Sequence, residues 1–252
     1  MSALRKTPRK TPRLSKVDAA ALPTTLPRSG QRTSEAANAD DTSVTDLIVQ
    51  SITQSIVEHR LLPGTKLVEQ TIGDRFGVSR TIVRQAFFRL QQLKLVTLEP
   101  SRGAFVAQPS IDEAREVFSV RRMIEGQMLR ELVTRLTAPD LKRLKAHIRA
   151  ERQAVIRLEV AKRTKLLFDF HVLLAKILGN QVLADLMTEL VSRCSLISLM
   201  YQSSGHAHES HTEHADIVAA IEAGDADLAC HLMDTHLQSV ALQLTEHRRV
   251  PA

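Results

Sequence analysis

Apolar residues recur at the three- and four-residue spacing of amphipathic helices from Ile111 to about Arg248. Glycine is scarce in this region, and Pro139 is the only proline between Pro109 and Pro251. Short polar or glycine-containing joints divide the region into segments. The pattern predicts an all-α helical bundle with helices at about 111–136, 138–158, 160–178, 181–203, 208–223 and 225–247.

Between residues 67 and 107 the pattern is different, because two short helical stripes precede two short apolar segments. Leu67, Ile72 and Phe76 form the first stripe, and Gly77 can take the positive φ that ends a helix. Ser79 then stands where the N-cap of a second helix is expected. The inward-facing positions of that second helix are Val83, Ala86, Phe87 and Leu90.

The two apolar segments predict strands at 95–98 and 104–107, joined by a turn with Arg102 at its tip. Helix, tight turn, helix and β-hairpin, in this order, predict a winged helix-turn-helix, which places its second helix in the DNA major groove. The predicted fold is therefore mainly α, with an N-terminal winged helix-turn-helix that carries a small β-hairpin wing and a C-terminal all-α helical bundle.

Polar side chains remain on the outer, N-terminal part of the second helix, at Arg80, Thr81, Arg84 and Gln85. Arginine can make a paired contact to guanine, and threonine can contact a phosphate or a thymine methyl group. These residues predict DNA as a partner. The alternative is a plain helical hairpin with a β-hairpin, whose arginines form a solvated face.

This stretch resembles the GntR family of bacterial transcription regulators over about residues 44–108, through the runs LLPGTKL at 61–67 and FGVSRT at 76–81 and the pair Val83-Arg84. In that family the start of the recognition helix and the wing tip contact operator DNA. The resemblance assigns these contacts to Ser79, Arg80, Thr81, Arg84, Arg102 and Gly103. Ile82 departs from the pattern, since many members have proline there, but no DNA-contacting group is lost. Phe88 is unusual because its position is expected to be mostly exposed.

The net charge of +6 is unevenly distributed along the 252 residues. Residues 1–43 hold eight Lys or Arg against four Asp or Glu, residues 44–108 hold eight against five, and residues 109–252 hold eighteen against nineteen. The basic surplus lies in the first two regions, as expected for a surface that binds nucleic acid. We therefore expect a tail at 1–43, a DNA-binding domain at 44–108 and a helical domain at 111–248. The resemblance to GntR regulators implies that this helical domain dimerises and binds an effector.

The tail is rich in Lys, Arg, Thr, Pro, Ala and Ser, and this composition predicts disorder. It either solubilises the chain or tethers it weakly to DNA. It lacks the apolar segment of a secretory signal, and its repeated prolines disfavour a mitochondrial transit peptide. Cys194 and Cys230 are the only cysteines and have no metal-type pairing, and no apolar run approaches a membrane span, so we expect a cytoplasmic protein.

Nine of the ten histidines follow residue 140. His171, His214 and His236 each lie beside apolar residues on a different predicted helix, so a bundle can bring them together. Three neutral imidazoles can bind zinc, nickel or a similar divalent ion. Singly, each is also compatible with a surface or hydrogen-bonded core position.

The segments FDFHVLLAKILGN at 168–180 and IVAAIEAGDADLA at 217–229, with Glu213-His214 and His236-Leu237, resemble the FCD ligand-binding domain of the FadR-type GntR branch. Many members hold a divalent metal there through one aspartate and three histidines. The resemblance assigns the histidines to His171, His214 and His236. The aspartate position, one turn before the first histidine, is occupied by Leu167, and Asp169 is expected on another helix face. We expect either a three-histidine site completed by water or effector, or a site that has lost its metal.

Three further features have two interpretations each. His206, His208 and His211 form either a polar segment between helices or a metal-sensing loop. Arg121 either faces the effector pocket, where it would bind a carboxylate, or forms a surface salt bridge. Asn180 is either a helix C-cap or an effector contact.

The sequence as a whole predicts a ligand-responsive transcription regulator without catalytic residues. The expected partners are an inverted-repeat operator, a small organic acid and a second copy of the chain. One alternative is a metal-dependent hydrolase with a tethering domain, which would use the three histidines and an activated water. The other is a metal-free architectural DNA-binding protein whose helical domain only dimerises.

Overall fold

The structure is a computed structural model that describes residues 34–201 and 207–246. It confirms the predicted fold class, a small winged-helix unit followed by a helical bundle. The winged-helix unit consists of helices α1 (Ser34–Val57), α2 (Glu69–Phe76) and α3 (Arg80–Gln92) and strands β1 (Lys66–Leu67), β2 (Val96–Glu99) and β3 (Gly103–Val106).

Helix α1 begins at Ser34, so it includes the last ten residues of the segment predicted to be a disordered tail. The reason lies in the local sequence SEAANADD, which is rich in alanine and has an acidic residue in the first turn, and both favour a helix start. Composition averaged over the whole tail concealed this change. Residues 1–33, for which disorder was predicted, lie outside the described residues.

The sheet has three antiparallel strands in the order β1-β3-β2. Residues 96–99 pair with 103–106 to form the predicted wing, with Thr97 opposite Phe105. Leu67, expected in the first helix, instead belongs to β1, where it pairs with Ala104. Helix α2 starts only at Glu69. A two-residue strand leaves no periodic signal in the sequence, because it exists only through its pairing with β3.

The C-terminal part is helical throughout its described residues, and each predicted helix is present within a few residues of its expected ends. Helix α4 packs along α9, α6 along α7, and α8 along α9. None of the helices in the described ranges has the length and apolar character of a membrane crossing. The helices are α4 (Ile111–Arg135), α5 (Ala138–Ile156), α6 (Val160–Leu178), α7 (Gln181–Tyr201), α8 (Ala207–Glu222) and α9 (Ala226–Glu246).

Two hydrophobic cores hold the described part of the chain together. One fills the winged-helix unit around Ile52, Phe87 and Leu90, and the other fills the helical bundle. Leu196 of α7 belongs to the first core although it lies in the bundle. The end of α1 therefore packs directly against α7, which fixes the winged helix on the helical domain.

Candidate functional site

The turn between α2 and α3 has the local geometry predicted from its sequence. Gly77 adopts a left-handed conformation with φ 65° and ends α2. Ser79 is the N-cap of α3, and its hydroxyl accepts a hydrogen bond from the Ile82 amide at 3.5 Å. Proline has no amide hydrogen, so the departure from the family pattern at Ile82 supplies the donor for this cap.

All six predicted DNA-contacting residues are solvent-exposed. Ser79, Arg80, Thr81 and Arg84 lie in the first turns of α3, on the side opposite the buried Val83 and Phe87. Arg102 and Gly103 lie at the wing tip. The exposed surface formed by these two sets is called the basic face below. Phe88 is also exposed, with 57% of its surface accessible.

Each arginine of the basic face contacts another residue of the same unit. Arg84 pairs with Glu69 at 2.8 Å, and Arg80 donates to the Gln70 side chain at 2.7 Å. Arg102 pairs with Glu99 and lies over the Phe105 ring at 5.4 Å from its centroid. Exposed pairs of this kind contribute little stability. These contacts orient the guanidinium groups without removing them from solvent.

A cavity of about 250 Å³ in the helical bundle is lined by the three predicted metal ligands. His171 on α6, His214 on α8 and His236 on α9 are all buried, and they offer ligand atoms that lie within 4.8 Å of one another. The structure therefore brings together the three histidines that the sequence could place only on separate helices. We call this group the histidine cluster.

A different carboxylate contacts the Nδ1 atom of each histidine in the cluster. His171 Nδ1 lies 2.6 Å from Glu125, His214 Nδ1 lies 3.1 Å from Glu151, and His236 Nδ1 lies 2.6 Å from Glu213. A ring that donates from Nδ1 to a carboxylate keeps the Nε2 lone pair for a metal ion. In agreement with this assignment, His214 Nε2 is buried and has no hydrogen-bond partner among the described residues.

Burial sets the charge state of these groups. It lowers the pKa of His171 to about 3, with Arg121 adding to the effect, and it also lowers the pKa of His214. Burial alone would raise the pKa of Glu125, but Arg121 and His171 hold it at about 2. At pH 7 His171 and His214 are therefore neutral imidazoles, and Glu125 is an ionised carboxylate. Neutral imidazole is the form that binds divalent ions.

The aspartate expected as the fourth metal ligand is absent, because residue 167 is leucine, as the sequence indicates. Leu167 lines the cavity one turn before His171. Asp169 forms an ion pair with Lys165 and lines a different groove of the surface. The residues present fit a divalent ion held by three histidine nitrogens, with its remaining positions open.

Arg121 lies at the cavity wall, and its predicted alternative role as a surface salt bridge is wrong. The residue is 2% exposed, and its Nε donates to Glu125 at 2.7 Å. Its Nη1 contacts the Cys194 sulfur at 3.5 Å, and burial raises the pKa of that thiol. The remaining nitrogen, Nη2, is buried and has no hydrogen-bond partner in the described part of the chain. A cavity-lining guanidinium with a free donor is suited to bind an anion.

Asn180 does not line the cavity, so its assignment as an effector contact lacks structural support. It is exposed, and its side-chain oxygen accepts from the Leu183 amide at 3.0 Å. Asn180 thus caps the start of α7, whereas Gly179 with φ 78° is the C-cap of α6. The sequence placed Asn180 correctly at a helix joint but assigned its cap to the preceding helix.

The second histidine group is only partly described. His206 and the side chain of His208 lie outside the described residues, whereas His211 is buried and lies 3.4 Å from Glu151. His147 contacts the same carboxylate at 3.2 Å. Glu151 therefore connects His211 and His147 to the histidine cluster through His214.

Sequence reasoning missed Glu125, Glu151 and His147. A lone glutamate on a helix is ordinarily exposed, so neither carboxylate attracted attention. The available signal was spacing: Glu125 follows Arg121 by four residues, and Glu151 follows His147 by four. Such pairs on helix faces that are otherwise apolar indicate buried ionic groups.

Comparison with known proteins identifies both parts of the chain. The model described as "Bacterial regulatory proteins, gntR family" matches residues 45–106, and the model described as "FCD domain" matches residues 116–239. The chain is 28% identical over 209 residues to the HTH-type transcriptional repressor RspR of Escherichia coli K12, covering 82% of this chain and 91% of RspR. It is also 28% identical over 225 residues to the Uxu operon regulator of Haemophilus influenzae, covering 81% and 82%.

Solved structures share the fold. E. coli McbR/YncC matches with a TM-score of 0.72 at 18% identity, covering 82% of this chain and 99% of that one. A putative GntR transcriptional regulator from Rhodococcus sp. RHA1 matches with a TM-score of 0.71 at 24% identity, covering 82% and 98%. With the two domain matches and these relatives, the chain belongs to the GntR family of bacterial transcription regulators and carries an FCD domain after its DNA-binding domain.

Proposed function

We propose that this regulator acts as a homodimer in the cytoplasm, binds an inverted-repeat operator and responds to an organic acid bound in the cavity of the FCD domain. The basic face supports the DNA-binding part, since its arginine and hydroxyl side chains are exposed at the start of α3 and at the wing. Two-fold symmetry of a dimer would present two such faces to two half-sites. Two of its relatives are named as repressors, which favours repression as the output.

The observation that carries the effector site is the set of three Nδ1–carboxylate contacts around the histidine cluster. Holding three imidazoles by three separate carboxylates directs three nitrogen ligands toward one point. We propose that His171, His214 and His236 hold a divalent ion there, zinc or nickel. When bound, the ion would supply open coordination positions for a carboxylate of the effector. Arg121 Nη2 would donate to the same anion.

The two other functions considered for the chain have less support. A hydrolase would need a carboxylate free to act on a metal-bound water, whereas the glutamates that surround the cluster are engaged with the Nδ1 atoms. An architectural protein would leave the cavity unexplained, together with the unpaired His214 Nε2 and Arg121 Nη2. Neither alternative uses both the basic face and the histidine cluster.

Metal analysis combined with DNA binding tests this proposal. Purified wild-type protein should retain close to one divalent ion per chain, and His214→Ala should lose it. His231→Ala is the matched control, because His231 is exposed on α9 and lies outside the cluster. The wild type is then used to select operator duplexes from a random DNA pool. Adding small carboxylates together with the metal should change the affinity of the wild type for these duplexes. Equal metal content in both variants would contradict the assigned ligands.

A further inference from the structure

One wall of the cavity comes from the DNA-binding unit. His59 lies just after α1, and its ring lines the same cavity as Arg121 and His171. Its backbone is left-handed with φ 58°, and its amide donates to the Ile56 carbonyl at 2.9 Å. Outside glycine, this conformation is most common in Asn, Asp and His. The turn after α1 therefore directs an imidazole into the effector domain.

Contacts between the two units fix the position of this turn. The Ser195 hydroxyl on α7 donates to the Ile56 carbonyl at 3.4 Å, and Leu196 is fully buried in the winged-helix core. A ligand that contacts His59 therefore acts on the end of α1, whose other residues form the core beneath α3. No flexible linker separates the cavity from the DNA-binding unit at this point.

Besides His214 Nε2, which faces the proposed ion, three nitrogen atoms of the cavity wall are buried without a hydrogen-bond partner in the described part of the chain: His59 Nε2, Arg163 Nε and Arg121 Nη2. Buried polar atoms are normally paired, so three unpaired nitrogens around one cavity indicate a ligand that accepts hydrogen bonds. The described residues that line the cavity include two arginines and no Asp or Glu. The lining thus favours an anionic ligand.

The nitrogens are distributed between two ends of the cavity. Arg163, Leu167 and His171 all line it and recur at four-residue spacing on one face of α6. Eight residues of α-helix separate Arg163 from His171, a rise of about 12 Å. Arg121 is coupled to the His171 end through Glu125. His59 also lines the cavity, and the charge of Arg163 acts on its imidazole, so these two residues lie near each other.

We propose that the effector carries two anionic groups, one bound at the histidine cluster and Arg121 and the other bound by Arg163 and His59. The inference rests on the proposed function, and it narrows the effector to a diacid that spans the cavity. The second anionic group contacts the DNA-binding unit through His59. The affinity for the effector then depends on the position of the winged helix relative to the FCD domain. A ligand must have such a difference in affinity between two conformations in order to shift a regulatory equilibrium.

Calorimetric titration of the zinc-loaded full chain with matched acids tests the proposal. The probes are butyrate against succinate, hexanoate against adipate and octanoate against suberate, so that each pair differs only in the second carboxylate. At the fitting length the diacid should bind about tenfold more tightly than the monoacid, since a charge-assisted hydrogen bond is gained. A diacid that binds no more tightly at any length overturns the proposal.

Arg163→Gln should reduce the preference for the diacid to within about twofold and leave the affinity for the monoacid unchanged. Lys162→Gln is the matched control, because Lys162 is exposed on the same helix, pairs with Glu159 and does not line the cavity. Equal weakening of both acids by Arg163→Gln would overturn the assignment of the second anionic group. Failure of every acid to bind the zinc-loaded wild type would instead contradict the proposed carboxylate effector itself, and this inference with it.

His59→Asn tests the connection to DNA. Asparagine tolerates the left-handed backbone and removes the Nε2 donor, so the fold should be retained, as a melting curve can verify. The best diacid should change operator affinity in the wild type severalfold and have little effect in His59→Asn, while both proteins bind DNA equally in its absence. An identical operator response in the two proteins would overturn the role of His59.

Discussion

Replacing Leu167 by aspartate offers the sharpest test of the metal site. Leu167 lies one turn before His171 on the cavity-lining face of α6, so a carboxylate there would face the same cavity. Carboxylate oxygen is a regular ligand of zinc in proteins. We therefore expect Leu167→Asp to bind divalent metal more tightly than the wild type.

The magnitude follows from the position of the side chain. Leu167 is partly buried at the cavity wall, so its loss should cost the metal-free protein about 1–2 kcal/mol of apolar burial. An unpaired carboxylate adds a cost of about 1–3 kcal/mol, which Arg163, one turn earlier, reduces. Against this cost, a fourth ligand should raise zinc affinity at least tenfold, or about 1.4 kcal/mol. The variant is thus expected to be less stable than the wild type without metal and to gain more stability from it.

Competition with a chromophoric chelator at pH 7.5 measures the zinc affinity, and melting curves with and without zinc measure stability. Leu167→Asn is the matched control, because asparagine has nearly the same shape as aspartate. This variant loses the same leucine packing but supplies no anionic ligand. Leu167→Asp should bind zinc at least tenfold more tightly than both other proteins. The two variants should show similar melting temperatures without metal.

Two results would refute the reasoning. Equal zinc affinity in Leu167→Asp and Leu167→Asn would mean that residue 167 does not face the ion. No zinc binding by any of the three proteins, with Leu167→Asp destabilised, would mean that the histidine cluster is structural.

The remaining predictions concern the DNA interface, the tail and pH. Arg84→Ala should cost about 1–3 kcal/mol of operator affinity and relax base preference, whereas Arg102→Ala should weaken binding to all sequences alike; unchanged affinity of both in gel shifts at fixed salt would contradict the basic face. Deleting residues 1–33 removes eight Lys or Arg, so nonspecific DNA binding should weaken and depend less on salt, while operator preference is retained. A marked fall in melting temperature would show instead that the deleted segment packs against the folded domains. Burial and the charge of Arg163 lower the pKa of His59 in the folded protein to about 4. As the pH falls, the unfolded chain therefore binds this proton before the folded chain does. The contribution of neutral His59 to the free energy of unfolding is present above about pH 6.5 and is lost as the pH falls toward 4. His59→Asn should therefore show a smaller fall in melting temperature between pH 7 and pH 5, and parallel falls in the two proteins would speak against this.

Helix positions and caps were predictable because their signals are local. Gly77 and Ser79 determine the turn before α3 through their own backbone and side-chain preferences, and Gly179 does the same after α6. Strand β1 was not predictable in this way. Its two residues adopt a strand only because Lys66 and Leu67 pair with β3, some forty residues later in the chain.

The same distinction applies to the candidate site. The three cluster histidines could be selected because each stands beside apolar residues, which places it on an inward helix face. Their convergence, and the contributions of Glu125 and Glu151, depend on how α4 and α5 pack beside α6 and α8. His59 was invisible to sequence reasoning because it lies in a turn of the other unit. The role proposed for it depends on the packing of α1 against α7.

The charges around the histidine cluster fit the proposed divalent ion, although leucine occupies the aspartate position at residue 167. Arg121 balances the charge of Glu125, whereas Glu151 and Glu213 contact the Nδ1 atoms of His214 and His236. Burial lowers the pKa of His147, but Glu151 outweighs this effect and raises it. A divalent cation at the Nε2 atoms would balance both remaining carboxylates, whereas an additional aspartate at position 167 would leave the site with a net negative charge. A neutral site repels an incoming anion less than a negative one. Leucine at position 167 therefore favours an effector with more negative charge, in agreement with the proposed contacts of Arg163 and His59.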